Sequence, residues 1–97
     1  MTELSFEWDP GKAAINALKH GTTFEEAKTV FHDEYALLID DPDHSKSEDR
    51  FILMGRSLRG RVLVVVHCFR QGGKVIRLIS ARLAGKQERK TYEEKTK

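Results

Sequence analysis

Arg50, His67 and Arg77 carry the side chains that phosphate chemistry needs when no metal supplies the charge. Guanidinium groups bind phosphate oxygens in pairs, and an imidazole moves protons near neutral pH. The three come together if the second half of the chain is an antiparallel meander. A loop at Gln71–Gly73 pairs Arg70 with Lys74, and so His67 with Arg77. Pairing Ser57 with Gly60 in the preceding turn puts Arg50 opposite His67. Side chains alternate faces along a strand. This register therefore predicts an apolar core face of Phe51, Leu53, Val62, Val64, Val66, Cys68, Ile76 and Leu78, and a row Arg50–His67–Arg77 across the other face. Two arginines beside an imidazole disfavour its protonated form and bias it towards a neutral base. The competing reading is that carboxylates neutralise both arginines, with Glu48, Asp49 or the acidic first half as sources.

Other chemistry-bearing residues form weaker patterns. His20, His32, His44 and His67 lack ligand spacing, so neither a metal nor another cofactor is expected. His44-Ser45 has no evident third group, and Cys68 falls on the predicted core face as a small hydrophobe. No glycine-rich phosphate loop precedes a helix. Arg82, Lys86, Arg89 and Lys90 fall on the last helix, where they form a solvated face or, with Arg61 and Arg77, a stripe for a nucleic-acid backbone.

The elements that must position these residues are legible in outline. Leu4–Trp8 alternates as a strand, and Asp9-Pro10 starts a helix that stops at Gly21. Thr23 and Glu26 read as a capping box for a second helix, with Phe24, Ala27, Val30 and Phe31 on one face. Strands follow at Tyr35–Ile39, Arg50–Arg56, Arg61–Phe69 and Lys74–Ala81, and Asp40–Asp49 reads as a surface loop. The stretch LAGKQERKTYEEK after Ala81 favours a charged helix that needs docking to stay folded. The fold class expected is α+β: an antiparallel sheet with two N-terminal helices and one C-terminal helix packed on it. With 97 residues the chain is read as a single domain, 1–97.

Charge is segregated along the chain. Residues 1–50 carry 5 Lys/Arg against 12 Asp/Glu, and residues 51–97 carry 12 against 3. A basic second half suits phosphate or an acidic partner. No stretch is apolar for long enough to span a membrane, and the lone Cys68 excludes an internal disulfide, so a cytoplasmic location is expected.

The segments FEWDPGKAAINALKHGTTFEEAKTVF, DPDHSKSEDRF, GRSLRGRVLVVVH and IRLISARLAGKQERKTYEE, in this order, resemble the BrnT family of toxin–antitoxin toxins. The likeness runs from Phe6 to about Glu94, and it is most specific at Phe6–Pro10 with Lys19–Gly21 and at Ile79–Arg82 with Glu88–Tyr92. The resemblance implies a RelE-like fold and a metal-independent ribonuclease that arrests translation. It also implies a cognate antitoxin that binds the toxin tightly and carries the contacts to operator DNA. Glu34 and the stretch LAGKQERK depart from the family pattern, where a proline and a more basic helix are common.

Combined with the register, the resemblance assigns proton transfer to His67 and phosphate binding to Arg50 and Arg77. Lys19, His20, Arg82 and Tyr92 lie in the family-like motifs and join Arg61, Lys86 and Arg89 as expected RNA contacts. Lys19-His20 equally suits the negative end of a helix. The alternative function is a non-catalytic basic module that serves only as a partner for an antitoxin or nucleic acid.

Overall fold

In the computed structural model, residues 4–39 and 50–96 are described; the expected loop Asp40–Asp49, with His44, Ser45, Glu48 and Asp49, lies outside the described residues. Hydrophobic alternation and capping residues give β1 (Ser5–Glu7), α1 (Pro10–His20), α2 (Phe24–Ala27), β2 (Leu37–Ile39), β3 (Phe51–Arg56), β4 (Val62–Arg70), β5 (Val75–Leu83) and α3 (Lys86–Lys95). Asp9 caps α1 by accepting a hydrogen bond from the Lys12 amide at 2.8 Å. Thr23 caps α2, which tightens into a 3₁₀ turn over Lys28–His32. Only half of the predicted capping box forms. The Glu26 amide donates to Thr23 Oγ1, while the Glu26 carboxylate turns away to Ser57 and Arg61.

The sheet order is β1-β5-β4-β3-β2. The expected antiparallel meander of β3, β4 and β5 is present, and β2 extends it antiparallel to β3. The sheet is mixed, however, because β1 joins β5 in parallel, with Glu7 beside Arg77.

Both predicted registers are off by one residue beside their turns. The β3–β4 turn closes at Ser57 and Arg61 rather than Gly60, with the Ser57 amide donating to the Arg61 carbonyl at 2.8 Å. Gly60 supplies the left-handed position this turn requires, at φ 83°. The β4–β5 loop spans Gln71–Lys74 and pairs Arg70 with Val75, because Gln71, Gly72 and Gly73 are all left-handed. From the loop to a bulge at Val66/His67 the two slips cancel between β3 and β5, so β4 alone is turned over there; beyond it β5 shifts by one more residue and Ala81 comes opposite Val65. Leu63, Val65 and His67, rather than Val62, Val64, Val66 and Cys68, therefore share a face with Leu53, Ile76 and Leu78.

That face packs under the N-terminal helices, where Phe24, Ala27 and Val30 meet Leu63, Val65, Ile76, Leu78 and Ala81. Among the described residues, the opposite face is covered at one end, where Tyr92 of α3 packs on Met54, Val62 and Val64. Asn16 fixes α1 along the part of β5 that β1 leaves unpaired. Its Nδ2 donates to the Ala81 and Thr22 carbonyls, and its Oδ1 accepts from the Ala81 amide. This buried side chain does the work of a missing strand, as a buried polar group must.

Candidate active site

The sheet face that α3 leaves bare holds a basic pocket of about 370 Å³, lined by Lys12, Arg50, Cys68, Phe69, Arg70, Arg77 and Ile79. Strand register builds it. Cys68 pairs with Arg77, and continuing the β3–β4 register from Phe51 and His67 sets Arg50 beside Cys68. The row across the strands is thus Arg50–Cys68–Arg77, with both predicted arginines in it and His67 absent. A β-bulge lies between Val66 and His67, where Ile79 is the extra residue of β5. Bulges re-aim side chains, and Ile79 lines the pocket. Lys12 reaches the rim because Asp9 starts α1 where β1 ends.

Among the described residues, one carboxylate is seen to adjoin this cluster. Glu7 Oε2 accepts from Arg77 Nη1 at 2.8 Å, and both side chains are about a third exposed. The competing reading, carboxylate neutralisation from the acidic first half, thus holds for Arg77 through Glu7. Glu48 and Asp49, the other sources considered, lie outside the described residues.

His67 is correspondingly removed from the pocket face. It is 1% exposed and packs edge-on against Phe31 at 4.8 Å between ring centres, with Phe51 and Phe69 nearby. Its Nδ1 lies 3.3 Å from the Val65 carbonyl, and burial pushes its pKa down, so the ring is held neutral. The direction favours the neutral ring, and its cause is desolvation rather than flanking arginines.

The other predicted RNA contacts divide. The Arg61 guanidinium is bound to the buried carboxylate of Glu26, which also accepts from Ser57 Oγ at 2.7 Å. The hydrogen bond from Arg61 holds the Glu26 carboxyl below its usual range. Arg82 makes a two-pronged pair with Glu88 at 2.8 and 2.9 Å. Tyr92 is 2% exposed; its hydroxyl donates to Asp33 Oδ2 at 2.6 Å, and the Arg56 guanidinium sits 5.6 Å from its ring centre. It anchors α3 to the sheet and faces no solvent. Lys19 and His20 end α1, roughly 10 Å along the helix axis from Lys12. Lys86, Arg89 and Lys90 remain exposed on α3 beside Glu93.

Sequence reasoning missed Lys12, Phe69 and Arg70 as pocket residues, and Glu7 beside them. Arg70 directly follows the predicted strand Arg61–Phe69 and is within reach of a correct register, which puts it on the Cys68 face and turns the Phe69 ring to the His67 face. Glu7 and Lys12 are not within such reach, because nothing local reveals that β1 pairs with a strand some 70 residues on.

Comparison with known proteins adds an identity to this geometry. Residues 8–88 match the model of a family described as the ribonuclease toxin, BrnT, of type II toxin–antitoxin systems. A crystal structure of the Brucella abortus ribonuclease toxin BrnT has a similar fold, with a TM-score of 0.66 and 21% sequence identity. The alignment covers 87% of this chain and 100% of that one. No match was found among the curated proteins.

Proposed function

Because the chain belongs to the BrnT family of ribonuclease toxins of type II toxin–antitoxin systems, we propose that it cleaves RNA in the Arg50–Arg77 pocket without a metal and is neutralised by its antitoxin. The observation that carries this reading is the convergence of Lys12, Arg50, Arg70 and Arg77 on one pocket on the sheet face away from the N-terminal helices. Four cations there attract the RNA backbone and stabilise the charge that builds on phosphorus, the role electrostatic preorganisation plays in such reactions. The same charges oppose entry of a divalent cation, which supports metal independence. Lys86 and Arg89 on α3 supply further backbone contacts outside the pocket. The antitoxin competes for this basic surface in the cytoplasm and provides the complex's contacts to operator DNA.

The test is incubation of the purified chain with single-stranded RNA in excess chelator, beside Arg50→Ala and Arg77→Ala. Cleavage by the wild type that is lost in both variants is the expected result. Intact RNA bound with a steep salt dependence would instead make the chain a binding module, and cleavage surviving both variants would move the site elsewhere.

A further inference from the structure

Cleavage of RNA without a metal needs a group that takes the proton from the attacking 2′-hydroxyl. The pocket's lining contains four cations, a thiol and two apolar side chains, and His67 is sealed on the other sheet face. Among the described residues, the acidic side chain joined to this cluster is Glu7, held by Arg77 Nη1 at 2.8 Å. Resting on the RNA-cleaving reading above, we propose that Glu7 is the proton acceptor of the reaction.

The geometry favours this for two reasons. Glu7 sits on β1 directly beside Arg77 in the parallel register, so its position is fixed by the sheet rather than by a loop. A guanidinium has five N–H donors, so Arg77 can hold the Glu7 carboxylate and a phosphate oxygen together. In RNA the 2′-hydroxyl adjoins the scissile phosphate, so an acceptor sharing an arginine with that phosphate lies within reach of the hydroxyl. Both side chains stay about a third exposed, which leaves the carboxylate open to substrate.

The step balances. Glu7 accepts the 2′-hydroxyl proton as O2′ forms a bond to phosphorus and the bond from phosphorus to O5′ breaks. The leaving O5′ takes a proton from water, and Glu7 then returns its own proton to the hydroxide. The products are a 2′,3′-cyclic phosphate and a 5′-hydroxyl, with no net change in protons.

The alternative role for Glu7 is to tie the edge strand to β5. Glu7→Gln separates the two, since its amide oxygen still accepts from Arg77 but cannot take a proton. Single-turnover cleavage of a single-stranded oligoribonucleotide should fall about 100-fold or more in Glu7→Gln, with its melting temperature near that of the wild type. Glu7→Ala should be equally slow, and added formate should restore part of its rate. Wild-type cleavage should fall on acidification, and that fall should be absent in Glu7→Gln. Glu7 faces Arg77 on β5, with Lys12 from α1 and Arg50, Cys68 and Arg70 around the same pocket. Near-wild-type cleavage by either variant overturns the proposal. So does failure of formate rescue together with an unchanged acid limb in Glu7→Gln. If Arg50→Ala and Arg77→Ala abolish cleavage while Glu7→Gln does not, only this inference falls; if the arginine variants cleave normally, the pocket reading itself falls.

Discussion

The two ends of the sheet use the same residue types in opposite ways. At the end formed by the β3–β4 turn and α3, cations and carboxylates are locked together. Glu26, with a side chain 4% exposed, binds Arg61 and Ser57; Arg82 is held by Glu88; Asp33 binds the Tyr92 hydroxyl and the Arg56 amide. At the other end Arg77 meets Glu7 through a hydrogen bond in half-open surroundings, and Arg50, Arg70 and Lys12 gather around the same hollow. A buried, multiply bonded carboxylate fixes its arginine as structure, whereas a half-exposed one leaves the arginine able to take a second anion. A count of arginines does not distinguish these cases, but the burial of their partners does.

The largest effect on stability should come from breaking the closed end. Arg61→Ala removes the main partner of the buried Glu26 carboxylate, leaving Ser57 Oγ and the more distant Arg59, and should cost about 3 kcal/mol in denaturant unfolding. The same variant tests a pH dependence. The hydrogen bond from Arg61 depresses Glu26, whose ordinary value is 4.5. Burial alone would raise Asp33, but hydrogen bonds from Arg56 and Tyr92 bring it below its ordinary 3.8. The folded values lie below the unfolded ones, so the stabilisation is complete above about pH 4.5 and is lost as pH falls through the folded values. Arg61→Ala should flatten that acid slope, while Arg77→Ala should leave it in place.

Tyr92→Phe removes a hydrogen bond to a charged acceptor and should cost roughly 1.5–3 kcal/mol, with cleavage unaltered. Gly55→Ala should cost about 1–3 kcal/mol by overpacking, since its new methyl would lie 2.9 Å from both Ala36 Cβ and Val30 Cγ1. The smallest stability change belongs to the open end. There Arg77→Ala breaks a half-exposed pair worth about 1 kcal/mol or less. A large stability loss in Arg77→Ala, matching that of Arg61→Ala, would erase the contrast between the two ends.

Local signals carried much of the fold. The Asp9-Pro10 and Thr23 caps, the alternation in β3, β4 and β5, and the need of α3 for docking are all visible in short windows of sequence. The register was not, because it depends on how the turns close. Left-handed backbone at Gly60 and at Gln71–Gly73 lengthened both pairings, and a one-residue slip exchanges the faces of a strand. On the Arg50–Arg77 side of the bulge, the errors moved β4 against neighbours that kept their relation to each other. Arg50 and Arg77 therefore stayed in one row, while His67 and Cys68 changed places. Glu7 was beyond local reading altogether, because its partner is a parallel strand from the far end of the chain.

The most direct test is single-turnover cleavage of single-stranded RNA in excess chelator by Arg50→Ala, Arg77→Ala and His67→Phe, each shown to be folded. The pocket predicts losses of about 100- to 1,000-fold in the two arginine variants and near-wild-type cleavage by His67→Phe. Loss of cleavage in folded His67→Phe, with full cleavage in the arginine variants, would contradict it.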